Sequence, residues 1–328
     1  QICLYYICLA LLLMQHTLPK KFKVILYTVF LLTIVSTIMP VKELVKSFEK
    51  ESVITYLDVG HGSCTLIETP GGKRILIDGG ALSSPGFNIG ERVIAPFLLE
   101  RKILTIDDII VTHPDGDHYN GIPYILSHFD VENIWVNSKK GHDEGWQRLL
   151  ETAREVGTRI TVPESNQVVN KNTEMSIKVL ANTTDATGLS INNDNGLILR
   201  YRHGNFTALF PGDISKDLEQ KLVKSITDLK ATIFLASHHG SSTSNSIEFL
   251  SAVQPEVMVV SSGRNEKALF PANAVTVRCN KLNIPYILTN TTGSVTVRTQ
   301  KGIYDTETYY PDSSGQKKVL SAKSLIHR

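Results

Sequence analysis

Two uncharged apolar runs open the chain, residues 2–18 (ICLYYICLALLLMQHTL) and 24–39 (VILYTVFLLTIVSTIM), with PKKFK between them. Each is near the lower limit of the ~17–25 residues that cross a bilayer as a helix. The pattern predicts a transmembrane helical hairpin over residues 1–40. The alternative is a signal peptide followed by a buried core helix. A signal peptide carries its positive charge before the apolar run, not between two runs. Lys20, Lys21 and Lys23 in the turn place it in the cytoplasm by the positive-inside rule. The second helix would then deliver everything after residue 40 to the outer side of the membrane. Residues 41–52 mix Lys and Glu and read as a linker or a short interfacial helix.

From residue 53 the pattern changes to short apolar runs. Strands are expected over 53–58, 63–69 and 74–78, with PGG turning the second into the third. A helix is expected over 91–102, kinked or shortened by Pro96. IDDIIVTH reads as a buried strand ending at His113, and 146–156 as a helix. Residues 197–213 give two strands around a His-Gly-Asn turn. LEQKLVK and SIEFLSAV have helical spacing, ATIFLASHHG and EVMVVSS read as strands, and IPYILTNTTGSVTVRTQ as a hairpin. Strands open both halves and helices separate the later strands. That order predicts an α/β domain over 53–308, two sheets face to face with helices outside. Residues 309–328 are polar and basic and read as a tail.

Composition changes this picture little. Lys and Arg number 34 against 32 Asp and Glu, a net charge of +2, so no strong global field draws nucleic acid or membrane. A local basic groove stays open. The four cysteines, Cys3, Cys8, Cys64 and Cys279, form no legible disulfide framework or thiolate zinc site. The chain begins with Gln, and a portion of a longer protein is expected.

Chemistry enters at IIVTHPDGDHYNG, which packs His113, Asp115, Asp117 and His118 into six positions after a β-branched run. Asp and His are ligands for Zn²⁺, Mn²⁺ or Fe. Four of them this close can serve two ions. In an extended loop, His113 and Asp115 project alike and suit one ion, leaving Asp117 and His118 for the second. The bland alternative is a polar turn with an N-cap. FPGDIS ends an apolar strand in Asp213, which alone would be an N-cap for the next helix. LASHHGSSTS ends another in His238 and His239, and LIDGG ends a third in Asp78. Each strand stops at His or Asp, and strand ends along one edge make a single rim. Their company favours a metal site.

The series DVGHG, DGG, THPDGDH, PGD and SHHGS resembles the metallo-β-lactamase fold, an αββα sandwich. Its form is similar to the C-terminal domain of ComEC-type DNA-uptake channels, over residues 53–308. Asp115, where the superfamily motif usually has His, is typical of that branch. The apolar hairpin fits as well, since that domain follows membrane helices, and the chain would then be the C-terminal portion of a channel. The resemblance implies one ion on His113 and Asp115, another on Asp117 and His118, and Asp213 bridging them. One of His238 and His239 would ligate. Neighbours at a strand end point to opposite faces, so His238 is taken as the ligand and His239 as the group that meets substrate or donates a proton, with the choice open. SINNDNG lacks the histidine usual before the bridging Asp. Water or Asn193 would fill in, unless the stretch is a plain Asn-rich turn. His61 stands where relatives usually have Gln and is not counted as a ligand. Asp58 and Asp78 would support the rim. Ser241 and Ser242 would bond phosphate or be ordinary loop residues.

The implied cofactors are two divalent ions, Mn²⁺ or Zn²⁺, with Asp115 tilting the preference toward Mn²⁺. Asp117 and His239 are the expected catalytic residues. The implied function is a bacterial membrane-anchored nuclease, catalytic domain extracytoplasmic, degrading one DNA strand during uptake. Its partners would be single-stranded DNA, the membrane and the remainder of the channel. The alternatives are a hydrolase of a small or cell-wall phosphodiester, such as a phosphocholine ester, and a non-catalytic DNA-binding module. Arg264 and Lys267 are the best phosphate contacts among scattered basic residues such as Arg200, Arg202 and Lys216.

Overall fold

The computed structural model describes residues 19–38, 51–80, 87–139, 143–171, 174–184, 194–263, 270–300 and 302–309. The first apolar run, most of the 41–52 linker, Asn193, Arg264, Lys267 and the tail beyond Tyr309 lie outside them. The chain divides into two units, residues 1–49 and 50–328. In the first, Lys20–Ile38 is a helix. Among the described residues no helix is long and apolar enough to cross a membrane.

The second unit is built on two sheets. The first has the order β15-β14-β1-β2-β3-β4-β5-β6. Its strands are β1 (Ser52–Tyr56), β2 (Thr65–Glu68), β3 (Arg74–Ile77), β4 (Thr105–Val111), β5 (Asp130–Val136), β6 (Arg159–Thr161), β14 (Val295–Gln300) and β15 (Ile303–Thr308). The second has the order β13-β12-β11-β10-β9-β8-β7. Its strands are β7 (Val168–Lys171), β8 (Met175–Asn182), β9 (Leu197–His203), β10 (Phe206–Phe210), β11 (Ile233–Leu235), β12 (Val257–Val260) and β13 (Tyr286–Leu288).

Strand alternation sorts side chains into layers. Ile54, Tyr56, Ile110, Leu199, Tyr201, Phe210, Ile233 and Val259 meet between the sheets. Ile109, Val111 and Ile134 face helices on the outer side of the first sheet, and Phe234, Met258 and Val260 face helices on the outer side of the second. The architecture is therefore αββα. Covered on both faces, β11 and β12 have no polar face, which is why IFL and VMVV read as unbroken apolar runs.

The helix Glu144–Glu155 shows how the outer layer forms. Asp143 caps it by accepting from Trp146 N at 2.7 Å. Trp146, Leu149, Leu150 and Ala153 fall on one face and are buried. At roughly 1.5–3 kcal/mol per fully buried large apolar side chain, this face holds the helix to the sheet. Asp143 also accepts from the Tyr119 hydroxyl at 2.8 Å, tying this helix to the loop after β4.

Two expectations shift. The 91–102 helix is a π-helical turn, Gly90–Ile94, followed by an α-helix, Ala95–Glu100, with Pro96 at the junction of the two. Residues 284–300 are not one hairpin. β13 lies parallel to β12 in the second sheet, while β14 pairs with β1 and β15 in the first. The helical turn Thr289–Thr292 and Gly293, at φ 71°, redirect the chain from one sheet to the other.

Candidate metal centre

Strand direction decides where the polar strand ends go. β3 and β4 run parallel in one sheet, and β10, β11 and β12 run parallel in the other. The loop after β4 supplies His113, Asp115, Asp117 and His118; the turn after β10 supplies Asp213, and the turn after β11 supplies His238 and His239. The site is built where these carboxyl ends meet, between the sheets.

Asp213 is its centre. Its carboxylate lies 3.2 Å from His118 Nε2, 3.4 Å from His239 Nε2, 3.8 Å from His238 Nε2 and 3.9 Å from His113 Nε2. It is not the cap of the next helix, because Ser215 fills that role for Lys216–Ser225. Asp115 occupies the N-cap position of the short helix Gly116–Tyr119 but makes no capping hydrogen bond, and its carboxylate lies 3.6 Å from His113 Nε2. Asp117 Oδ2 is 3.1 Å from His239 Nε2. Ligand atoms of Asp117, His118, Asp213 and His239 all fall within 4.8 Å of one another.

The surrounding bonds fix which nitrogen each ring turns inward. Asp78, held at φ 61°, accepts from Thr112 N at 2.7 Å and from Thr112 Oγ1 at 2.9 Å. Its Oδ2 also lies 2.8 Å from His118 Nδ1. A carboxylate only accepts, so His118 carries a proton on Nδ1. His239 Nδ1 lies 3.0 Å from the carbonyl oxygen of Ser261, which sets the same tautomer. His113 Nδ1 lies 3.2 Å from Thr112 Oγ1, whose own proton goes to Asp78. All three rings thus turn Nε2 toward Asp213. The Nε2 atoms of His113 and His118 are buried and make no hydrogen bond among the described residues.

Lone pairs facing carboxylates need a cation between them, either protons or a metal ion. The metal-free electrostatics show the same demand. Burial alone would lower His239, but Asp213 and Asp117 overcome it and raise it to about 9. His118 is raised well above its ordinary value on the same balance, burial against Asp213, Asp78 and Asp117. Burial would lift the carboxyls of Asp117 and Asp213, yet the histidines hold both well below the usual range. These residues fit divalent metal ions. Asp117, His118, Asp213 and His239 form one ligand group, and beside it stand His113 and Asp115, 3.6 Å apart, with His113 at 3.9 Å from Asp213.

A sequence profile decides the family. The profile described as the metallo-beta-lactamase superfamily matches residues 57–264. The chain belongs to the metallo-beta-lactamase superfamily. Among curated relatives, it is 26% identical over 272 residues to "ComE operon protein 3" of Bacillus subtilis, covering 80% of this chain and 35% of that protein. It is 27% identical over 248 residues to "Competence protein ComA" of Neisseria gonorrhoeae, covering 75% of this chain and 32% of that protein. The chain thus spans about a third of the length of these relatives. A solved mutant structure of CmlA beta-hydroxylase superposes with a TM-score of 0.50 at 16% identity, covering 76% of this chain and 54% of that one; this likeness concerns the fold alone.

Within this superfamily member, the expected residues fall as follows. His113, Asp115, Asp117, His118, Asp213 and both histidines of the pair are together at the centre. The expected ordering of the pair is exchanged in placement. His239 is buried between Asp117 and Asp213, while His238 is partly exposed, with Nε2 at 3.8 Å from Asp213. β11 ends at Leu235, and both histidines sit in a left-handed turn at φ 49° and 54°, so strand alternation does not govern them. Asp78 stands behind His118. Asp58 accepts from Gly60 N at 3.3 Å, shaping the turn before His61. Ser241 lies in an exposed turn with its hydroxyl 2.9 Å from that of Thr243. Sequence reasoning missed Thr112, the Ser261 carbonyl and Asn245. Asn245 is buried at φ 58° and clamps Ser237 through both its backbone N and O. Position at a strand end was the only signal for the first two. Asn245 had none.

Proposed function

We propose that the chain is a metal-dependent phosphodiesterase that cleaves DNA during uptake into a bacterial cell, anchored to the membrane by its apolar N-terminus with the catalytic unit outside. One observation carries the hydrolase part. His113, His118 and His239 each commit Nδ1 to an acceptor and turn Nε2 onto Asp213.

Bound divalent ions supply Lewis-acid activation of water and neutralise charge on a phosphoryl group. The chain's own residues hold and orient. Asp213 joins the ligand group to His113. Asp78 and the Ser261 carbonyl keep the His118 and His239 rings in one tautomer. Asp117 is the least buried of the four clustered ligands, which makes its side the open face for substrate. Mn²⁺ suits the oxygen-rich set with Asp115, and Zn²⁺ is the competing choice. Likeness to a competence protein of Neisseria gonorrhoeae supports a role in uptake, and the uncharged runs 2–18 and 24–39 support anchoring.

The test incubates the full chain with labelled single-stranded DNA, with and without Mn²⁺, beside Asp213→Ala. Metal-dependent cleavage that disappears in the variant is the expected result. Intact DNA with metal bound redirects the reading to a small phosphodiester. Intact DNA without bound metal leaves a non-catalytic DNA-binding module.

A further inference from the structure

His61 is unused by the ligand set, yet it lies against it. Its Nε2 is 3.7 Å from Asp117 Oδ2, the oxygen that also meets His239. Its ring centroid is 4.8 Å from that of His239 and 5.5 Å from that of Phe270. The side chain is 46% exposed.

The backbone around it is pinned. Asp58 Oδ1 accepts from Gly60 N at 3.3 Å, Ser261 Oγ donates to Gly62 O at 2.8 Å, and Ser63 N donates to Asp117 O at 3.2 Å. Gly263 lets this turn approach, since a Cβ there would lie 2.7 Å from His61 N. The ring is held differently from its neighbours. His113, His118 and His239 each have Nδ1 engaged, as ligating histidines usually do. His61 makes no hydrogen bond among the described residues. Among the described residues, then, this half-exposed ring has no bond that would give it a structural role. It stands on a fixed loop at the open, Asp117 side of the centre.

We propose that His61 is a substrate-contact residue, donating an imidazole N–H to a non-bridging phosphoryl oxygen of the phosphodiester. The inference rests on the phosphodiesterase reading. A neutral imidazole always has one N–H to give, so the contact needs no change of protonation.

The test uses the full chain loaded with Mn²⁺, as wild type, His61→Leu and His61→Gln. Three quantities are measured: Mn²⁺ bound per chain, binding of inorganic phosphate, and KM and kcat on bis(p-nitrophenyl) phosphate. Mn²⁺ content should be the same in all three. Phosphate Kd and diester KM should rise about tenfold in His61→Leu and stay within about threefold in His61→Gln, which restores a donor. Loss of Mn²⁺ in His61→Leu would make His61 a ligand and overturn the proposal. Unchanged phosphate binding and KM with metal retained would make it a bystander and overturn it too. If wild type binds phosphate without turning over the diester, the phosphodiesterase reading fails, and phosphate binding alone decides His61. No phosphate binding by wild type overturns both.

Discussion

Asp78→Asn isolates the role of a carboxylate that touches no expected metal position itself. Three donors converge on it: Thr112 N on Oδ1, and Thr112 Oγ1 and His118 Nδ1 on Oδ2, at 2.7, 2.9 and 2.8 Å. Asn tolerates the left-handed backbone at φ 61°, so the exchange adds no strain there. It leaves one acceptor oxygen, and its amide N–H groups face a donor on the other side. At about 1.5–3 kcal/mol for a hydrogen bond to a charged group, losing one or two of three costs roughly 1.5–6 kcal/mol. The second effect is on the metal. If the amide donates to His118 Nδ1, the ring proton moves to Nε2 and removes the lone pair that faces Asp213. Metal affinity should then fall about 10–100-fold. Titrating metal-free protein with Mn²⁺ reads the affinity, and thermal melting in chelator reads the stability. Unchanged affinity and melting would refute the reasoning, because it requires Asp78 to fix the His118 tautomer.

Three further outcomes are expected. Metal-free protein should lose stability as pH rises from about 6.5 through about 9, because His239 and His118 are raised on folding and their contribution is present below the unfolded value. Asp117 and Asp213 are depressed, so theirs is present above the ordinary carboxylate value of 3.8 and lost as pH falls below it; melting with and without metal across pH tests both limbs, and saturating metal should flatten the upper one. Asn245→Ala removes both bonds to Ser237 and puts a Cβ-bearing residue without a polar side chain in the left-handed region, which should cost about 3 kcal/mol in denaturant unfolding. Gly90→Ala would bring a Cβ to 2.3 Å from Gly121 O and should cost about 2 kcal/mol, read as a lowered denaturation midpoint.

Much of the centre was legible because it is local. His113, Asp115, Asp117 and His118 are neighbours in sequence, and a strand-to-helix loop keeps neighbours together. Asp213 and His238–His239 were legible because each follows an apolar strand, and parallel strands bring their carboxyl ends to one edge. The order within the histidine pair was not legible. It depends on where β11 stops and on a left-handed turn, and the same letters would support strand or turn. The 284–300 segment failed for a related reason. Its two apolar runs satisfy a hairpin pattern equally well whether they pair with each other or with strands far away in sequence. Pairing is a property of the whole sheet, decided here by β1 and β12.

The two sheets contribute opposite halves of one electrostatic problem. The loop from the first sheet brings His113, Asp115, Asp117 and His118, and the second brings Asp213 and His239. Asp213 is almost fully buried, so water cannot screen it, and its stability depends on positive charge from His118 across the interface and from His239 beside it. Protons on His118 and His239 supply that charge when metal is absent. Metal ions would supply it without the protons, which is why binding should release them. The apolar layer between the sheets then serves the chemistry indirectly. It fixes the separation of the two edges, so that His118 and His113 of one meet the Asp213 carboxylate of the other at 3.2 and 3.9 Å.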